Sequence, residues 1–235
     1  LKLFNYENCL TAYNIDKPTG RVYKTPDGEY PSITTILGAT SNNTFLIKWR
    51  ESIGEEEANR ISKEATDRGT AVHDYIEKYF LQDENRNFSK YFVESGLSEE
   101  TVKIKQPARD IIRECEKNNF VPYAQEIPLW HPKLKYAGRV DGVGLWNNTL
   151  SIIDFKTSKK RKYASQIKNY FIQATAYAVA HNYLFDTRIN NFAIVIGVDD
   201  NEPQCFTGQV APYIPELKFR VKSFYKQKEM NESVN

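Results

Sequence analysis

The sequence predicts a mixed α/β (or α+β) fold in which a mixed central β-sheet is flanked by helices. Three observations carry that expectation. Apolar residues recur at helical spacing through the first half of the chain and at strand spacing from Tyr123 onward. One long helical stretch interrupts the strands and another closes the chain, so helices can cover the sheet. At 235 residues, 40% hydrophobic and 26% charged, the chain has the length and balance to bury a sizeable core.

The elements follow in order. The first thirty residues read as irregular structure with a small hairpin, its turn chemistry supplied by Thr25-Pro26-Asp27-Gly28 between Val22-Tyr23 and Tyr30. Phe45, Leu46 and Trp49 fit a short amphipathic helix ending near Gly54. A longer helix carries Ala58, Ile61, Ala65, Val72, Ile76 and Phe80 at spacings of three, four and seven. Gly69 interrupts it at about 1 kcal/mol against alanine, which points to a close approach or a break. Ser98 is a cap for a further helix towards Glu116, with Pro107 as its kink. Three strands are expected over Tyr123 to Trp130, Tyr136 to Trp146 and Leu150 to Thr157. A helix from Ala164 to Leu184 follows, then strands at Phe192 to Val198 and Cys205 to Val210. A last amphipathic helix spans Ile214 to Lys228. No internal repeat divides the chain.

The net charge of +2 implies no polyanionic partner by itself, but its distribution is uneven. Lys156, Lys159, Lys160, Arg161, Lys162 and Lys168 follow one another without an intervening acid. The tail from Lys218 to Lys228 is similarly basic and reads first as a solvated face, whereas Glu51 and Glu55 to Glu57 are acidic. Cys9, Cys115 and Cys205 lie far apart without a CxxC pair, so reduced thiols are expected and neither a disulfide framework nor a zinc site. No apolar run approaches the roughly 18–20 residues that span a bilayer, and no signal-peptide pattern opens the chain. Leu1 rather than Met stands first, which leaves the true N-terminus open.

The chemistry concentrates in one hairpin. Tyr136-Ala-Gly-Arg-Val-Asp141-Gly-Val-Gly-Leu-Trp146 is joined to Thr149-Leu-Ser-Ile-Ile-Asp154-Phe-Lys156-Thr-Ser158 by Asn147-Asn148, which suits a two-residue type I′ turn. Trp146 then faces Thr149, and the same register sets Asp141 directly opposite Asp154. Directly opposed side chains have Cβ atoms roughly 4.5–5.5 Å apart, where two like charges are destabilising. Val143, Leu145, Leu150 and Ile152 share that face and are apolar, so solvent cannot screen the pair. A divalent cation such as Mg²⁺ or Mn²⁺, which prefers oxygen ligands, compensates. Lys156 lies about 6.6 Å further along the same face, within reach of a phosphate oxygen or a water. Gly138, Gly142 and Gly144 weaken a strand unless a close approach requires them.

Gly138-Arg-Val-Asp141-Gly, Ile152-Ile-Asp154-Phe-Lys156-Thr-Ser158 and Gln173-Ala-Thr-Ala-Tyr177 together resemble the PD-(D/E)XK nuclease superfamily, and its RecB-like branch in particular. Gly69-Thr-Ala-Val-His73-Asp-Tyr-Ile-Glu77 resembles that branch's histidine-bearing helix. Tyr30-Pro-Ser-Ile-Thr-Thr-Ile-Leu37 and Phe45-Leu-Ile-Lys-Trp49 are similar to the mitochondrial genome maintenance exonuclease group with its phage relatives. The resemblance covers residues 30–185. It implies a restriction-endonuclease-like core over 61–235, with an N-terminal hairpin and helical insertion over 1–60, forming one compact domain.

The resemblance also implies roles. Asp141 and Asp154 ligate Mg²⁺ or Mn²⁺ with the backbone carbonyl of Phe155, and His73 completes the shell or holds a second ion. Lys156 positions the water that attacks the phosphodiester. Gln173 and Tyr177, on one helix face, meet the DNA or the site, and Lys159, Lys160 and Arg161 meet phosphates. Glu77 reads first as a solvated glutamate, and Glu126 as an acid of ambiguous facing beside Pro128. Some RecB-like nucleases hold a four-cysteine iron–sulfur cluster, which three scattered cysteines cannot build, so a cluster-free enzyme is expected. The implied activity is a DNA exonuclease preferring single-stranded ends, acting in replication, repair or recombination inside a cell, the cytoplasm of a bacterium or phage-infected cell foremost. A flap endonuclease, an inactive nucleic-acid-binding module and a structural calcium site are the alternatives. No membrane partner is expected, and protein partners stay open.

Overall fold

The structure is a computed structural model that describes residues 4–81 and 99–232. A short α1 (Glu7–Leu10) leads into an antiparallel sheet of β1 (Tyr13–Lys17), β2 (Gly20–Thr25) and β3 (Gly28–Pro31). Thr25 pairs with Gly28, so Pro26-Asp27 is the expected turn, and Gly28 adopts φ +139° there. Three helices follow: α2 (Ile33–Ala39), α3 (Thr44–Ile53) and the long α4 (Glu55–Leu81). Ser32 caps α2, its hydroxyl accepting from the Thr35 N–H at 3.0 Å. Then comes α5 (Glu99–Lys117), whose expected cap Ser98 lies outside the described residues.

The central sheet runs β4 (Val121–His131), β5 (Tyr136–Trp146), β6 (Thr149–Ser158), β7 (Asn191–Val198) and β8 (Gln204–Gln209) in spatial as well as chain order. Neighbours are antiparallel except β6 and β7, which are parallel. A parallel pair needs a crossover, and α6 (Lys168–Phe185) supplies it after a 3₁₀ turn at Ala164–Gln166. The expected helix from Ala164 therefore starts later as an α-helix. The last helix, α7 (Ile214–Glu232), ends four residues beyond expectation.

Strand alternation sends side chains to two cores. Val143 and Ile152 join α6, α2 and the N-terminal sheet in one cluster, through Ile172, Ala174, Ile33 and Tyr23. Ile153, Phe155 and Val195 point the other way, against Val72 and Ile76 of α4 and Ile111, Ile112 and Cys115 of α5. Residues on both sides of position 60 thus share one hydrophobic cluster. The alanines of α6 let it lie close to its neighbours on every side, and Ala174, Ala176, Ala178 and Ala180 are all fully buried. No helix among the described residues is long and apolar enough to cross a membrane.

Three expectations are corrected. Gly69 neither breaks α4 nor permits a close approach: the helix is continuous, and an added Cβ would meet nothing within 4 Å. Ala65, placed in the apolar stripe by its spacing, is exposed. The apolar face of α3 is not covered, because no residue of α3 is buried and Phe45 is 83% exposed. The close approaches lie elsewhere, at Gly144, where a Cβ would stand 2.2 Å from the Val121 carbonyl oxygen, and at Gly197, 2.7 Å from that of Pro107.

Gly144→Ala should therefore force β4 and β5 apart and lower stability by about 2 kcal/mol or more. Gly69→Ala should leave stability unchanged or raise it by about 0.5–1 kcal/mol. Thermal melts of the two variants check this, and equal melting temperatures would contradict the packing of β4 on β5.

Candidate active site

The site begins with the turn between β5 and β6. Asn147 and Asn148 take φ 47° and 63°, the left-handed pair a type I′ turn requires. Pairing runs from Trp146↔Thr149 to Gly142↔Ile153 and stops one step short of Asp141 and Asp154. At that step the Asp141 carboxylate takes over, accepting the Phe155 N–H at 2.7 Å. On the other side Gln125 pairs with Gly142 and Ile127 with Val140, which leaves Glu126 across from Asp141. Glu126 adopts φ +50°, unusual for a non-glycine residue and costly enough to need a structural reason. Glu126, Asp141 and Asp154 therefore share one row across three adjacent strands.

His73 reaches this row from α4. Its Nδ1 lies 3.2 Å from Glu126 Oε1 and 3.6 Å from Asp141 Oδ1, and its Nε2 lies 3.1 Å from the Phe155 carbonyl oxygen. Arg139 Nε stands 2.8 Å from the other Glu126 oxygen. Lys156 Nζ is 2.5 Å from Asp154 Oδ2, and its ammonium lies 5.2 Å from the centre of the Tyr170 ring. Asp154 is fully buried, and neither of its oxygens makes a hydrogen bond among the described residues. The Lys156 contact is thus an ion pair by distance without hydrogen-bond geometry.

Electrostatics follow from this crowding. Burial, helped by the Asp141 charge and opposed by Lys156, pushes the Asp154 carboxyl up to about 6. Burial works against the Lys156 cation, but Asp154 and Asp141 hold its pKa above the ordinary lysine value, so the side chain stays a charged ammonium. Burial also opposes protonation of His73, yet Asp141 and Glu126 raise it to about 9. Both ring nitrogens then donate, one to Glu126 and one to Phe155. As a metal ligand, His73 has to give up one of these protons.

The residues fit a divalent cation. Ligand atoms of His73, Glu126 and Asp141 lie within 4.8 Å of one another, and the set of carboxylates, imidazole and a backbone carbonyl suits Mg²⁺ or Mn²⁺. The Asp154 oxygens, which make no hydrogen bond among the described residues and face only the Lys156 ammonium, are the independent sign, since a buried carboxylate without hydrogen bonds is costly.

The remaining expected residues divide. Gln173 and Tyr177 are buried, with Gln173 Nε2 donating to the Tyr177 hydroxyl at 3.1 Å. They back the site from inside the fold. Burial, then the charges of Asp141 and Asp154, hold the Tyr177 phenol protonated. Gly138 makes room for that ring, because a Cβ there would lie 2.8 Å from Tyr177 Cε1. Glu77 lines a groove of about 250 Å³ with Gly69, Thr70, His73, Glu126 and Arg139, and burial followed by the nearby Glu126 raises its carboxyl pKa. Lys159, Lys160 and Arg161 are exposed just beyond the end of β6, Arg161 close to the Glu202 carbonyl. The sequence left the facing of Glu126 open and gave no reading of Arg139; the structure turns Glu126 toward His73 and sets Arg139 against Glu126. A larger cleft of about 730 Å³ lies between the N-terminal sheet and α7 and contains none of the groups above.

A PD-(D/E)XK nuclease superfamily model matches residues 45–199, and the chain belongs to that superfamily. Among curated proteins it is similar to mitochondrial genome maintenance exonuclease 1 of Mus musculus, 26% identical over 185 residues, which are 74% of this chain and 51% of that protein. The Xenopus tropicalis protein of the same name is 25% identical over 187 residues, 75% of this chain and 51% of its own length. The chain thus spans about half the length of the curated relatives it matches. A solved Eubacterium rectale structure, named a candidate exonuclease, covers 69% of this chain and 68% of its own at TM-score 0.43 and 12% identity, a likeness too distant to carry an argument.

Asp154 yields a pH prediction. Its folded carboxyl holds its proton to about 6, whereas the unfolded one releases it near 3.8. The folded state then binds more protons in between, so metal-free stability should fall as pH rises from about 4 to 6. Asp154→Asn should remove that fall. Mn²⁺ should raise the melting temperature of wild type at neutral pH, and Asp154→Asn should lose that rise. A variant that melts like wild type with and without Mn²⁺ would exclude Asp154 from the metal site.

Proposed function

We propose that this chain is a metal-dependent DNA exonuclease that hydrolyses phosphodiester bonds at single-stranded ends, with Mg²⁺ or Mn²⁺ as its ion, in DNA replication, repair or recombination. The observation that carries the reading is the row of Glu126, Asp141 and Asp154, its two aspartates buried, with the Lys156 ammonium against Asp154. The name shared by the curated relatives supports exonuclease action on DNA for the region they have in common with this chain.

In this reading Asp141, Asp154 and the Phe155 carbonyl hold the ion, with His73 and Glu126 completing its shell. The chemistry such an ion supplies is activation of a water and polarisation of the phosphoryl oxygen. Lys156, kept charged by the two aspartates, orients that water and offsets charge on the phosphate in a water-poor setting. Tyr170 confines the lysine from one side, and Gln173 and Tyr177 fix the wall behind the aspartates. Arg139 steadies Glu126. Lys159, Lys160 and Arg161 bind phosphates next to the scissile one, which makes affinity fall as salt rises.

The test is degradation of end-labelled linear single- and double-stranded DNA and of circular single strands, with Mg²⁺, Mn²⁺ or EDTA. Wild type should degrade linear single strands only with metal and leave circles intact, and Lys156→Ala should be slower by about 10²-fold or more. Undiminished cleavage by Lys156→Ala would remove the assignment, and cutting of circles would make the enzyme an endonuclease.

A further inference from the structure

The basic tail that composition alone leaves as a solvated face has a specific arrangement. Lys218, Lys222 and Lys226 recur every fourth residue of α7 and are all exposed. Neighbouring like charges at that spacing are mutually destabilising on a helix. None of the three has an ion-pair partner among the described residues, and Glu216 at the start of α7 is engaged by Lys168 and Arg220 instead. A fourth cation joins them from the β4–β5 turn. Lys133 is exposed, its ammonium stands 5.5 Å from the centre of the Tyr183 ring, and it and Lys218 both help to lower the pKa of His131, after burial. The Tyr225 hydroxyl donates to the Lys135 carbonyl oxygen at 2.6 Å and ties α7 to that turn. Two large aromatic rings stand partly exposed on the adjoining helices: Tyr183 on α6 at 43%, one side of its ring against His131 and Lys133, and Phe219 on α7 at 62% exposure.

Unpaired lysines interleaved with exposed aromatic rings form the combination that grips single-stranded nucleic acid, cations on phosphates and rings against bases. Tyr183 lies on the same helix as Tyr170, the ring beside Lys156, and at 1.5 Å per residue the two are about 20 Å apart. That distance corresponds to about six nucleotides at the roughly 3.4 Å rise of a stacked strand.

We infer that Lys133, Lys218, Lys222 and Lys226, with Tyr183 and Phe219, form a second single-stranded DNA contact, separate from the catalytic groove and occupied only by strands long enough to reach both. This rests on the nuclease reading for the choice of DNA. It gives the protein a length threshold: short products hold on at the catalytic groove alone and leave, while long strands are held twice. Charge complementarity favours a polyanion, and the exposed rings favour one with unstacked bases over a phospholipid surface.

The experiment compares wild type with Lys218→Gln/Lys222→Gln/Lys226→Gln, exposed positions whose replacement leaves the core intact, as a melting curve verifies. Binding of fluorescent oligothymidylates of five and twenty nucleotides is measured in EDTA across a salt series, alongside cleavage of both in Mn²⁺. The triple variant should bind the twenty-mer about tenfold more weakly, with a salt slope lower by about two, and treat the five-mer as wild type does. Equal twenty-mer affinity and slope in the two proteins would overturn the inference. So would loss of binding to vesicles of anionic phospholipid with DNA binding unchanged. Wild type that cleaves neither oligonucleotide would sink the nuclease reading, while the length-dependent binding in EDTA would still be decided.

Discussion

Three carboxylates in one row of the central sheet set the terms on which the rest of this structure is built. Adjacent strands bring Glu126, Asp141 and Asp154 side by side, the two aspartates buried and Glu126 half-buried, and like charges in that position repel. The fold answers unequally. Asp141 receives the Phe155 N–H, Glu126 receives Arg139 and His73, and Asp154 has only the Lys156 ammonium, without a hydrogen bond. Residue 155 joins both sides of the arrangement, since its N–H serves Asp141 and its carbonyl serves His73. The ladder is interrupted at the row because those backbone groups are employed there.

Each flanking helix can be understood by what it delivers to the row. Val72 and Ile76 anchor α4 in the second core, and His73 between them is carried to the strand surface. The crossover helix α6 has to lie close to β5 and β6 to set Tyr177 behind the aspartates. Its alanines allow that approach, and Gly138 removes the one Cβ that would collide with the ring. The parallel pairing of β6 with β7 follows from the same crossover and leaves Lys156 near the exit of β6, beside the exposed Lys159 and Lys160.

What the sequence made legible was whatever is encoded locally. The β5–β6 register could be counted because its turn has two residues and both are asparagines that tolerate positive φ. Glu126 could not be placed that way. The β4–β5 connection is longer, the strand shifts register between Pro122 and Ala124, and the inverted φ at Glu126 leaves no mark in the residue pattern. The reading of Gly69 failed for a related reason. A glycine inside a helix signals a cost, but whether a neighbour lies against it depends on tertiary packing, and here the space beside it opens into the groove that contains His73. In α3 the apolar period was real while its burial was not, because periodicity describes one face of a helix and says nothing of what covers it.

The row also distinguishes between stability and chemistry as its reason for existing. A buried ion pair rarely stabilises a protein better than apolar residues of similar size, and an unsatisfied buried carboxylate costs several kcal/mol, a large part of a typical net stability of about 5–15 kcal/mol. An apolar residue at 154 would pack with Ile152 and Ile194 and carry no such cost, since both are fully buried beside it. A surface network of acids and bases would likewise avoid the penalty by keeping its charges in water. A divalent ion would add a further positive charge to the carboxylates, but a purely structural ion gains nothing from a charged lysine 2.5 Å from the Asp154 carboxylate. A negatively charged group arriving at the ion does gain from that lysine, which is why the pairing of Asp154 with Lys156 argues for a phosphate at this site.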